Sequence, residues 1–104
     1  MTKATFYFDG NVPYGFLISG HSGFAEDGED IVCASVSSAS YMVANTITEI
    51  LKVNADINVS DAKMKLIVNK EQRHITKDIL LGSKLHLEGL EEQYPEFLET
   101  LMEV

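Results

Sequence analysis

At 104 residues the chain has the length of one domain, and 45% hydrophobic with 23% charged residues is enough for a single modest core, read as one unit over residues 1–104. Sixteen acidic against eight basic residues give a formal net charge of −8. That balance disfavours nucleic acid and anionic membranes as partners, and it suits a basic peptide or simply keeps the protein soluble. One cysteine excludes an internal disulfide framework and a multi-thiolate zinc site.

Residues 3–8 alternate, with Ala4, Phe6 and Phe8 on one face and Thr5 and Tyr7 on the other, which predicts a half-buried strand. Asp9-Gly10-Asn11 supplies turn chemistry, and a second strand over about Tyr14–Ser19 returns antiparallel to the first. Residues 20–30 hold three glycines and four carboxylates in eleven positions, the composition of an exposed, mobile loop. From Ile31 to Lys52 the period becomes helical, with Val32, Val36, Ala39, Val43, Ile47 and Ile50 on one face and Asp30 as the N-cap. Asn54–Ser60 and Lys63–Asn69 read as two more strands, the second with Met64, Leu66 and Val68 on one face. A leucine-rich helix follows over Ile75–Gln93, and Phe97–Val104 fits either a helix or a strand. The order ββαββα predicts an α+β fold in two layers, a mostly antiparallel sheet with helices packed on it. A domain of this size is marginally stable alone, so oligomerisation fits. Met1–Phe6 lacks a basic segment followed by an apolar run, and no stretch reaches the roughly 18 apolar residues of a membrane span. The expectation is a cytoplasmic protein with a reduced thiol.

With Asp30 as the cap, Cys33 falls at the third helical position, in the positive end of the helix dipole and beside unpaired backbone N–H groups. Both favour the thiolate, and the same N–H groups can stabilise an oxyanion. His21, at the far end of the glycine loop, can take the thiol proton and later deliver it to a leaving amine. Each residue also has a structural reading. Cysteine packs as a small buried hydrophobe, histidine hydrogen-bonds at a surface, Asp30 caps, and Ser37 packs one turn beyond Cys33.

Gly20-His21-Ser22-Gly23-Phe24-Ala25, then Gly28, then Asp30-Ile31-Val32-Cys33-Ala34-Ser35-Val36-Ser37, resembles the signature of the ribosomal-processing cysteine protease family, Prp. That signature is a Gly-His-x-Gly loop followed by a Gly-x-Asp-Ile-Val-Cys-Ala helix start. Ser22 and Ser35 depart mildly, standing where small residues such as alanine are common. The resemblance implies a cysteine endopeptidase with Cys33 as nucleophile and His21 as its partner. Asp30 and Ser37 would take supporting roles, and the substrate loop would include Gly20, Gly23, Phe24 and Gly28. It further implies removal of a basic and apolar N-terminal extension, ending in an aromatic pair, from the large-subunit ribosomal protein L twenty-seven, which supports ribosome assembly. Family members form homodimers, and the loop closes over substrate. Phe24 would meet the substrate's aromatics or pin the loop to the domain.

No cofactor is implied. His74 and His86 share no metal-ligand spacing with His21, so no metal site is expected. The leucines at 80, 81, 85, 87 and 90 suit core packing or a dimer surface. No nucleotide-binding fingerprint appears. Two alternatives to proteolysis stay open: a non-catalytic ribosome-associated peptide-binding module in which Cys33 packs, and a thiol redox sensor.

Overall fold

Alternating apolar residues need a shared buried face, and the first two strands supply it to each other. In a computed structural model, which describes residues 1–21, 23–26 and 30–104, β1 (Thr2–Asp9) buries Ala4, Phe6 and Phe8, and β2 (Val12–Ser19) buries Phe16 and Ile18 beside them. They pair antiparallel from Lys3↔Ser19 to Tyr7↔Gly15, and the register then shifts so that Phe8 faces Pro13. Tyr14 is the extra residue of that bulge, which accommodates a proline within the strand. β3 (Ala55–Ser60) pairs antiparallel with β4 (Lys63–Val68), and β4 with β2. β5 (Leu98–Glu103) lies parallel to β1, giving the order β3-β4-β2-β1-β5. The mostly antiparallel sheet and the ββαββα order agree with expectation, and the final segment adds a strand.

β2 and β4 approach so closely at Gly15 that a Cβ there would run into the carbonyl oxygen of Leu66. Gly15→Ala must therefore push the two central strands apart. The expected loss is about 2 kcal/mol or more of stability, read as a lowered midpoint in urea unfolding.

The helices cover one face of this sheet. α1 (Ile31–Asn45) buries Val32, Val36, Ser40, Val43 and Ala44, and the helix continues through a π-helical turn, Thr46–Ile50, closed by Leu51 N–H donating to the Thr46 carbonyl. The wider turn carries Ile50 away from the apolar stripe. Ile47 is fully buried whereas Ile50 is 73% exposed, contrary to its expected place on the inner face. By length and composition Ile31–Ile50 is long and apolar enough to cross a membrane, which corrects the expectation that no stretch is. Its valine stripe and Ile47 instead belong to the core with Phe6, Phe16 and Leu66.

α2 (Arg73–Gln93) begins two residues earlier than the leucine pattern suggests, directly after a 3-10 turn, Lys70–Gln72, capped by Asn69. Its leucines divide: Leu80 and Leu87 are buried, Leu81 and Leu85 face solvent, and Leu90 packs against the core edge. Each fully buried Phe or Leu contributes about 1.5–3 kcal/mol through removal of apolar surface from water.

Candidate functional site

β2 ends at Ser19 and the chain turns out of the sheet at Gly20. The Gly20 N–H donates to the Ala62 carbonyl at 2.9 Å, and its own carbonyl accepts from Thr2 Oγ1 at 3.5 Å. Its φ is +85°, a region costly for residues with a side chain, and a Cβ would stand 2.6 Å from the Met1 carbonyl oxygen. Glycine is thus required where the strand hands over to His21, which is exposed at the sheet's rim beside the β3–β4 turn.

At the other end of the loop, Asp30 is buried in extended backbone (φ −80°, ψ 98°), and its Oδ1 accepts from Cys33 N–H at 2.9 Å. The Ala34 N–H donates to the Asp30 carbonyl at 3.0 Å, the first α-helical bond. Asp30 is therefore the N-cap, as expected, and Cys33 is the third helical residue. The cap ties the carboxylate's Oδ1 to the backbone amide of the cysteine itself. That amide is thereby occupied, which narrows the expected oxyanion donors to the earlier first-turn amides of Ile31 and Val32. Cys33 as a residue is half-buried. Ser37 is exposed one turn further on. Asp30→Ala is expected to cost about 1 kcal/mol of stability. It should also loosen the turn that carries Cys33, measured by thermal melts alongside the rate of thiol alkylation.

The loop between these ends is tied down at Phe24. Its ring meets Tyr94 edge-on at 5.5 Å between centroids and Phe97 at 5.2 Å, joining it to the junction of α2 and β5. Such pairs add about 0.5–1.5 kcal/mol beyond area burial. Phe24 thus anchors the loop to the domain, and at 39% exposure it keeps part of its ring open to a ligand. Tyr94 and Phe97 were not singled out from sequence; the aromatic pair around Pro95 was the available signal. Gly23 takes a positive φ, and among the described residues nothing lies within 4 Å of where its Cβ would stand. Gly28 and the acidic Asp27 and Glu29, with Ser22, lie outside the described residues.

A second feature lies between the two helices. The small residues Ala34, Ser35 and Ser38, with Ile31 and Met42, form one wall of an apolar groove of about 770 Å³ against Ile79 and Gly82 of α2. At 100° per residue, Cys33 lies about half a turn around α1 from that wall. These small residues therefore mostly face α2, and Cys33 and Ser37 occupy the flank away from it. His86 lines this groove, whereas His74 sits with Lys70, Arg73 and Lys77 at the start of α2.

Comparison with known proteins gives a consistent result. The family model described as Cysteine protease Prp matches residues 1–99. No curated protein matches the chain. Among solved structures, the ribosomal processing protease Prp from S. aureus with a covalently linked product peptide superimposes with a TM-score of 0.90 at 24% identity, over 99% of this chain and 100% of that one. The same protease with a substrate peptide gives 0.86 at 22% identity, over 99% and 100%. SMU.848 from Streptococcus mutans gives 0.79 at 25% identity, over 98% of this chain and 93% of that one.

Proposed function

This chain belongs to the cysteine protease Prp family, and we propose that Cys33 is its nucleophile and His21 its proton carrier. Membership in a protease family sets aside the reading as a non-catalytic module. The observation that carries the assignment is the position of Cys33: third residue of a capped helix, half-buried, and the one cysteine in the chain.

His21 takes the thiol proton, and the thiolate attacks the scissile carbonyl carbon to give a tetrahedral oxyanion. First-turn amides of α1 stabilise that oxyanion. The C–N bond breaks as the imidazolium delivers its proton to the departing amine, leaving a thioester on Cys33. Water, deprotonated by His21, attacks the thioester; the carboxyl product leaves and the thiol is restored. Asp30 holds the helix start, and Ser37 borders the sulfur's flank.

The substrate we assign is the basic, apolar N-terminal extension of the large-subunit ribosomal protein L twenty-seven. The net charge of −8 supports this, as does the fold shared with a protease whose function is ribosomal processing. The working protein is then a cytoplasmic homodimer whose partner is a precursor peptide rather than nucleic acid or membrane. Incubation with a peptide spanning the extension and the first mature residues tests this: mass spectrometry should find one cut, after the aromatic pair that ends the extension. An intact peptide, or cuts scattered without preference, would overturn the substrate assignment.

A further inference from the structure

The proposed chemistry leaves open where the peptide lies, and the topology gives a specific place. α2 packs across β2 and reaches β5 with its C-terminal half, where Glu91 Oε1 accepts from Thr100 N–H at 2.9 Å. Ala39 and Ser40 of α1 meet Ser83 and Leu87 of α2 above Phe6, Phe16 and Ile18, so α1 lies on the side away from β5, over β4 and toward β3. The flank of α1 turned from α2, which carries Cys33 and Ser37, therefore overlooks β3. The direction of α1 is set by its ends. After the π turn the chain passes through Asn54, whose N–H donates to Gln72 Oε1 at 3.2 Å, at the Ala55/Val68 end of the β3–β4 pair. The Cys33 end of α1 is accordingly at the opposite, Ser60/Lys63 end, where the Gly20–Ala62 hydrogen bond also brings out His21.

β3 is built unlike a protected edge. Among the described residues it has a neighbour on one side only, and its register with β4 runs without a bulge. Residues 54–62 contain no proline, lysine or arginine, and Asp56 is the one charge within the strand to discourage edge pairing. Ile57 and Val59 pair with Leu66 and Met64, so they face the helix side, yet they are 36% and 54% exposed because no helix reaches them. On the other face, Asp56 is exposed, and Asp61 is exposed in the adjoining turn.

We infer that β3 is the docking strand for the substrate: an extended peptide adds along its edge, with alternate side chains over Ile57 and Val59 and the intervening ones beside Asp56 and Asp61. Apolar residues then fall on one side and basic residues on the other, and the chain runs toward Cys33 and His21. This rests on the protease reading above and adds the surface that selects the peptide.

The test uses Cys33→Ala protein and a fluorescein-labelled peptide of the L twenty-seven extension, followed by anisotropy. Val59→Lys and Ile57→Lys should each weaken binding about tenfold, with Met102→Lys on the opposite edge, at 56% exposure, leaving it unchanged. In the catalytically intact protein Val59→Lys should raise KM by a similar factor with kcat held within about twofold. Peptides N-methylated at successive amides, tested on protein with unaltered β3, should lose affinity at alternate positions, a readout that does not depend on how the lysine variants fold. Unchanged affinity for both lysine variants, or N-methyl losses without alternation, overturns the inference while cleavage by the intact protein keeps the protease reading. Neither binding nor cleavage by the intact protein would remove both.

Discussion

Cys33→Ala is expected to abolish hydrolysis of the extension peptide, lowering kcat by about three orders of magnitude or more, since no second thiol exists to form the thioester. The fold should survive. Cys33 is half-buried at a helix start, its side chain is close in size to alanine, and the Asp30 cap acts through the backbone amide that alanine retains. The melting midpoint should move by no more than a few degrees, as for a loss below about 1 kcal/mol. Cleavage within about twofold of the unaltered protein would transfer the chemistry to another group.

Gly20→Ala should be the most damaging substitution in the loop, for two reasons that add. A φ of +85° costs a side-chain-bearing residue about 1–2 kcal/mol. The new Cβ would also meet the Met1 carbonyl at 2.6 Å, and the backbone there is held by Thr2 N–H donating to the Phe97 carbonyl at 3.0 Å. The expected destabilisation is about 2–3 kcal/mol, a fall of roughly 10–20 °C in Tm for a domain of this size. Because His21 is the next residue, kcat should fall even well below the melting transition. Gly23→Ala, where a Cβ meets none of the described residues, should show the backbone cost without the clash and lose less.

Much of this architecture was legible in the sequence where local pattern and final environment coincide. Ala4, Phe6 and Phe8 alternate and are all buried; Met64, Leu66 and Val68 likewise; and Asp30 caps the helix at the residue its chemistry selects. The departures arise where distant parts of the chain decide. Whether Phe97–Val104 forms a helix or a strand depends on pairing with β1, some ninety positions away, and Leu98 is buried only through that pairing. The exposure of Ile50 depends on one widened turn that a period of 3.6 cannot anticipate. Cys33's position followed from the cap, but the cap's use of its amide, and so the narrowing of oxyanion donors, needed coordinates. Phe24's two aromatic partners come from a junction seventy residues further on.

The placement of Asp30 also bears on how acidic residues can surround a thiolate. A carboxylate near Cys33 would raise the cost of the anion if it pointed at the sulfur. Bound to the Cys33 amide, it also reinforces the helix start.

The central claim, a Cys33 thiolate sustained by the helix start and by His21, is tested most directly by the rate of iodoacetamide labelling against pH in the unaltered protein and in His21→Ala. Labelling should reach its plateau well below the ordinary thiol midpoint of about 8.5, and the midpoint should rise when the imidazole is removed. A midpoint at or above that ordinary value in both proteins, or a thiol that resists labelling throughout, would contradict it.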